Sequence, residues 1–228
     1  MESDDIKKVS MAVIKRLPKY HQCLGNLLKD GVERISSQEL SQILGFTASQ
    51  IRQDLNNFGE FGQQGYGYNV EQLYNEIAKI LGLNYPHRMV IIGAGNLGQA
   101  LANYEDFEAH GFKIIALFDV NPRLVGLKIR GIPILDAAEM DYYINRNEVD
   151  IAIITVPQDR AQEVADILAR TAVKGIWNFS PAKLVVPKNI VVENVHLIES
   201  LFTLSYRMNE EKLQERILKQ KMKKLQNR

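Results

Sequence analysis

Cysteine is nearly missing from this chain: Cys23 stands alone among 228 residues. An intrachain disulfide is therefore impossible, and a thiolate zinc cluster cannot form, because each needs at least two sulfurs. A chain this long buries roughly 70% of its unfolded surface, so it needs no such staple. Long apolar runs are missing too. No stretch of about 18 apolar residues occurs, which excludes a hydropathy-encoded membrane helix. Residues 1–8 carry Glu2, Asp4 and Asp5 where a secretory signal would be apolar, so a cytoplasmic location is expected. What remains is ordinary soluble composition, 46% apolar and 24% charged, in a length that suits one large or two small domains.

The net charge of +1 is unevenly spread. Residues 1–84 sum to −1, residues 85–206 to −3 and residues 207–228 to +5. From Ile6 to Lys29 there is no carboxylate at all, against Lys7, Lys8, Lys15, Arg16, Lys19 and Lys29. A local cationic face can hold phosphate although its domain is neutral, because salt screens charges beyond about 8–10 Å. A solvated helix surface would carry the same charges, so Lys15 and Arg16 are candidates only.

The first 80 residues read as helices with sharp punctuation. Tyr20, Cys23, Leu24, Leu27 and Leu28 recur at helical spacing until Asp30-Gly31. Ser36 and Glu39 form a capping-box pattern opening a helix that should bury Leu40, Ile43 and Leu44 and stop at Gly45. Thr47 and Gln50 repeat the pattern, with Ile51, Leu55 and Phe58 inward. Two short helices across a glycine turn make a helix-turn-helix, or an ordinary helical corner. Gln63, Gln64, Gly65, Tyr66 and Gly67 then suit the tip of a two-stranded hairpin, a wing beside the second helix. A winged helix sets its second helix in the major groove. Its outward candidates are Ser49, Gln50, Arg52 and Gln53, with Thr47 at the cap; Arg suits guanine and Gln suits adenine. A helix over Val70–Leu81 follows, and Gly82, Asn84 and Pro86 mark a domain boundary at 84/85.

From Met89 the grammar becomes strand, glycine turn, helix. Met89-Val90-Ile91-Ile92 is continuously apolar, as a strand buried on both faces should be. Gly93-Ala94-Gly95-Asn96-Leu97-Gly98 follows directly, and the apolar run from Ile114 to Phe118 ends at Asp119, 26 positions beyond the first glycine. This is the dinucleotide fingerprint in its required context: glycines for a tight turn, pyrophosphate approach and close packing, and an acid for the adenine ribose. A carboxylate there repels a 2′-phosphate, favouring NAD(H) over NADP(H), while Val120 and Arg123 lie just beyond it. Expected next are a helix over 136–145, a strand Val149–Thr155, a helix Ala161–Thr171 and a strand Gly175–Asn178. Thr155, Val156, Pro157, Asn178, Phe179 and Ser180 fall at strand ends, where a doubly wound sheet binds ligands. Plain strand-to-helix turns are the alternative for each. The charged helix from Asn209 has only a thin apolar stripe and needs another surface to dock on. A basic nucleic-acid arm competes with that reading.

A dinucleotide fold is not by itself a dehydrogenase. No tyrosine here has a lysine four residues later, His87 and His110 lie away from the expected cleft, and some 85 residues go to the helical module. The parts suit a sensor without catalytic residues or metal. The competing readings are a nicotinamide-dependent oxidoreductase, a regulator gated by CoA or another nucleotide, and thiol sensing through Cys23.

Over nearly its whole length the chain resembles the Rex family of redox-sensing transcriptional repressors. The resemblance rests on Arg16-Leu17 with Tyr20, on Thr47–Leu55, on Phe58-Gly59 to Gly67-Tyr68, and on Gly93–Gly98. Phe118-Asp119, Thr155–Pro157, Asn178–Pro181, Val192–Val195 and Leu204–Tyr206 extend it. It implies a winged-helix domain (1–84), a Rossmann-like doubly wound parallel sheet (85–206) and a C-terminal helix (207–228) swapped onto a partner subunit. It further implies a cytoplasmic homodimer that senses NADH/NAD⁺, binds double-stranded palindromic operators when NADH is scarce, and has no membrane association. Such a site needs two reading helices about 34 Å apart, or a multiple of that. Tyr104 is implied to lie near the nicotinamide. An arginine and aspartate that pair in some members correspond to Gln22 and His196 here, so that ion pair cannot serve as the switch in this chain.

Overall fold

The computed structural model describes residues 9–59, 61–63 and 66–226. The chain divides into two compact units, Met1–Tyr85 and Pro86–Arg228.

The first unit runs α1 (Met11–Ile14), α2 (Leu17–Lys29), β1 (Arg34–Ile35), α3 (Ser37–Leu44), α4 (Ala48–Asn56), β2 (Gly62–Gln63), β3 (Gly67–Asn69) and α5 (Val70–Ile80). Apart from α2, which has Pro18 in its first turn and no side-chain cap, its helices start where a side chain satisfies a free amide. Ser36 Oγ accepts from the Glu39 amide at 3.1 Å while Glu39 Oε2 accepts from the Ser36 amide at 2.8 Å, a complete capping box. Gly45, at φ +72°, ends α3 in the left-handed region. Thr47 caps α4 through the Gln50 amide, but the Gln50 side chain turns to Asp54, so the expected second box is only half built. Leu17, Tyr20, Leu24, Leu40, Ile51, Leu55, Leu73 and Ile77 form the core, none more than 1% exposed. Each such side chain contributes roughly 1.5–3 kcal/mol by leaving water. Ile43 corrects the reading of α3: it is 57% exposed, although its i,i+3 spacing puts it on the same side of the helix as buried Leu40.

The hairpin of β2 and β3 is joined by a third strand, giving the antiparallel order β1-β3-β2 instead of two strands. Gly67 has to be glycine. Its φ is +70°, and a Cβ there would stand 2.7 Å from the Ile35 carbonyl oxygen of β1.

The second unit runs β4 (His87–Ile92), α6 (Asn96–Ala102), α7 (Asp106–Ala109), β5 (Phe112–Asp119), β6 (Lys128–Ile129), β7 (Ile132–Asp136), a 3₁₀ turn (Ala137–Glu139), α8 (Met140–Arg146), β8 (Ile151–Ile154), α9 (Gln158–Leu168), β9 (Gly175–Asn178), β10 (Val191–Asn194) and α10 (Leu197–Gln226). The seven strands order β10-β9-β8-β4-β5-β7-β6, parallel except for the β6–β7 hairpin. Strand alternation sends Val90, Ile92, Ala152, Ile154 and Ile176 to the face covered by α8 and α9, and Met89, Ile91 and Ile153 to the other. In β5 Ile114 and Leu117 share a face because the register slips between Met89 and Val90, leaving Ile115 as an extra residue.

Three expectations shift here. Strands β6, β7 and β10 were not foreseen from sequence; the expected helix at 136–145 resolves into a 3₁₀ turn plus α8; and α9 begins at Gln158, ahead of Ala161. The tail is continuous with what precedes it, since one helix spans Leu197–Gln226.

Candidate nucleic-acid interface and dinucleotide cleft

In the first unit the packing of α4 decides which side chains look outward. Ile51, Asp54 and Leu55 are buried, so Ser49, Arg52, Gln53, Asn56 and Asn57 line an open depression of about 470 Å³. Asn56 and Asn57 were missed from sequence, although Asn56 continues the Ser49–Gln53 stripe at helical spacing. Arg52 Nη1 donates to Ser37 Oγ at 2.8 Å, a tie between α4 and α3. On the wing Tyr66 is 70% exposed and its carbonyl accepts from Arg34. Gln64 and Gly65 lie outside the described residues, as does the side chain of Gln63. Lys15 is exposed, and Thr47 is occupied as a cap.

Arg16 and Gln50 are turned inward. Arg16 donates from Nε and Nη2 to Asp54 at 2.6 and 2.7 Å, Tyr20 donates its hydroxyl at 2.7 Å, and Gln50 donates at 3.0 Å. Burial alone would push the Asp54 carboxyl up, but these donors outweigh it and hold it below the usual carboxylate range. Burial, then the bond to Asp54, pushes the Tyr20 hydroxyl well above its ordinary value. Cys23 is also buried, and burial pushes its thiol up, away from the reactive thiolate that sensing would need.

In the second unit the chain builds outward from β4 to β7 on one side, then returns to β8 and continues to β10 on the other. The order of strands therefore reverses between β4 and β8, where open α/β sheets bind ligands at carboxyl ends. The glycine turn lies there. Gly93 has φ +103°, and its carbonyl accepts from Thr155 Oγ1 at 2.8 Å, tying the turn to the end of β8. A Cβ on Gly98 would collide with that same Gly93 carbonyl, whereas one on Gly95 meets nothing within 4 Å. The first and third glycines are thus demanded by the chain's own packing. The second leaves room in front of the turn.

Asp119 closes the site from β5. Its Oδ2 accepts from the Ala94 amide at 2.7 Å and its Oδ1 from the Asn121 amide at 2.8 Å, so it braces the turn while remaining partly exposed. Asn96, Val120, Arg123 and Pro157 are exposed around this edge, and Leu97 and Val156 are half-buried. Asn178 and Ser180 differ from the rest. Asn178 is fully buried, donating to the Ala182 carbonyl and to Asn194 Oδ1, and Ser180 is 2% exposed. Their polar groups bind loop and strand together, a framework role in place of the open cleft lining expected.

Tyr104 stands apart from the glycine turn. It follows α6 and borders a cleft of about 360 Å³ with Phe112, Lys113, Arg130 and Pro133, near the amino end of β5. It is linked to the cleft side through rings: Tyr104–Phe107 at 4.8 Å, Phe107–Trp177 at 5.6 Å and Trp177–Phe179 at 4.7 Å, all edge-on. Phe179 is half-buried just past the carboxyl end of β9.

Comparison with known proteins agrees with both halves. Residues 8–56 match the family model described as "Putative DNA-binding protein N-terminus", and residues 84–182 match that of the CoA binding domain. The redox-sensing transcriptional repressor Rex of Caldanaerobacter subterraneus subsp. tengcongensis is 60% identical over 205 residues, 90% of this chain and 92% of that one. Among solved structures, the Rex-family repressor RSP in complex with β-NAD⁺ and operator DNA has a TM-score of 0.86 at 59% identity, covering 92% of this chain and 97% of that one. RSP in complex with β-NADH has a TM-score of 0.84 at 56% identity, covering 92% and 98%. The chain belongs to the Rex family of redox-sensing transcriptional repressors.

Proposed function

We propose that the chain is a cytoplasmic homodimeric repressor that binds palindromic operators through residues 1–84 and senses the NADH/NAD⁺ ratio through residues 85–206, without catalysis. The observation that carries this is the glycine turn at the strand-order reversal, braced by Asp119, in the same chain as a capped helix-turn-helix with its outward face polar. Gly93, Ala94, Gly95 and Thr155 would hold the pyrophosphate side of the dinucleotide, and Asp119 its adenine ribose. The open space before Gly95 fits that approach. Asp119 would repel a phosphate on the adenosine ribose, which favours NAD(H) over NADP(H) and over CoA. The reduced ring is neutral where the oxidised ring is cationic, so a nicotinamide site walled by Phe179 and its neighbours favours the reduced form by the cost of burying charge.

Ser49, Arg52, Gln53, Asn56 and the wing tip are assigned to the operator. Exposed apolar side chains on α10, among them Leu197, Leu201, Phe202, Leu204 and Met208, support its packing on a second subunit. Release then follows from linkage: the dimer lets go of DNA only as far as it binds NADH better in the state that cannot span both half-sites. The test is anisotropy of a labelled operator duplex titrated with each nucleotide. Release by NADH at concentrations where NAD⁺ leaves the complex intact is expected; equal release by both overturns the sensing assignment.

A further inference from the structure

Asp54 occupies a position on α4 where the helix pattern calls for an apolar side chain, between Ile51 and Leu55 in the core. Its side chain is 0% exposed. Each carboxylate oxygen takes two bonds: Oδ2 from Arg16 Nε and Tyr20, Oδ1 from Arg16 Nη2 and Gln50. Among the described residues no buried side-chain polar atom lacks a partner, so this acid is fully satisfied. The donors come from the α1–α2 junction, from α2 and from α4 itself.

An acid here is an expensive way to fill a core. A buried ion pair gives up hydration that its Coulomb attraction scarcely returns, and an aliphatic residue would serve stability as well. What the acid adds is direction. An apolar side chain tolerates sliding and rotation, whereas a fork from Arg16 and a hydroxyl from Tyr20 meet one carboxylate in one orientation. One residue of helical rotation is about 100°, which would break these bonds together.

We propose that Arg16 and Tyr20 are positioning residues: acting through Asp54, they fix the rotation and depth of α4 so that Ser49, Arg52, Gln53 and Asn56 face the operator. The proposal rests on α4 being the DNA-reading helix. Arg16 then contributes to operator recognition by aiming α4, and not by neutralising a phosphate.

The two roles give opposite signs. If simple charge governs, Asp54→Asn removes a repulsive carboxylate and tightens DNA binding, and Arg16→Lys keeps the phosphate contact. If the carboxylate aims the helix, both weaken binding, because lysine lacks the guanidinium fork. The experiment uses the full chain and a palindromic duplex selected from a random library on the wild type. A scrambled duplex of equal length is the control, and both are titrated across a salt series. Asp54→Asn and Arg16→Lys should each weaken operator binding about tenfold or more, the size of one lost base contact. Scrambled-duplex binding and the salt slope should stay unchanged.

Tyr20→Phe, which keeps the ring against Phe46, should weaken operator binding in the same direction by less. Circular dichroism and melting accompany every variant, and if Asp54→Asn does not fold, Tyr20→Phe and Arg16→Lys decide. Operator binding at wild-type strength in folded Arg16→Lys, with the salt slope of Arg16→Met falling by about one, overturns the proposal. So does tighter binding by folded Asp54→Asn. A wild type that selects no duplex would instead refute the DNA-binding reading on which the proposal rests.

Discussion

Two glycines a few residues apart do different physical work. Gly98 sits where any Cβ strikes the Gly93 carbonyl, and Gly95 sits where a Cβ meets nothing within 4 Å. Gly98→Ala should therefore destabilise the second unit by about 1–3 kcal/mol, the usual cost of forcing atoms into packed space, seen as a lower melting temperature. Gly95→Ala should melt like wild type yet bind NADH more weakly in a fluorescence titration. A reversed pattern would mean that the turn is not a phosphate cradle. The carboxylate of Asp54 gives a pH prediction with a definite sign. Its native pKa lies below the ordinary value of about 3.9, so its contribution is complete above that pH and drains away as pH falls through the native value. Urea midpoints of the first unit should fall on that acid limb, and more steeply in wild type than in Asp54→Asn. The outward face of α4 was largely legible at this scale, since Ser49, Arg52 and Gln53 are exposed. Asp54 was not, because an acid at a core-facing position contradicts the pattern that finds cores; the contradiction itself was the available signal.

Elements were legible where a local signal starts or stops them. The Ser36 box and the Gly45 stop bound α3 in sequence and structure alike. Ser36→Ala should cost about 1 kcal/mol of stability in urea, because two end-of-helix amides lose their acceptor arrangement together. No loss would mean that water replaces the cap. Elements set by distant pairing were hidden. β1 is two residues long and exists because Arg34 and Ile35 meet Asn69 and Tyr68. β10 is four residues with Glu193 and Asn194 exposed, and only its register against β9 makes it a strand. β7 contains Pro133, which discourages a strand reading, yet Pro133 lies opposite Lys128 in a two-residue hairpin partner. Ile43 failed for a different reason: it keeps the helical spacing from Leu40, but periodicity gives a direction and not how far the neighbouring elements extend to cover it.

At the scale of the whole molecule, α10 is the part that one chain leaves unfinished. Leu201, Phe202 and Leu204 are each more than half exposed on a helix 30 residues long. Exposed apolar rows of this kind support the proposed packing of α10 on a second subunit. Leu201→Glu with Leu204→Lys should shift sedimentation towards the monomer and abolish high-affinity operator binding, while each unit keeps its circular dichroism. A dimer unaffected by these changes would move the subunit contact elsewhere. The ring series from Tyr104 to Phe179 has a practical consequence at the same scale. The protein possesses one indole, and it is clamped edge-on between two phenyl groups beside the strand ends. Its emission therefore speaks from a single address, so that a nicotinamide seated against Phe179, as proposed, should register in unlabelled protein as quenching at Trp177, while the tyrosines of the reading head stay spectrally separate.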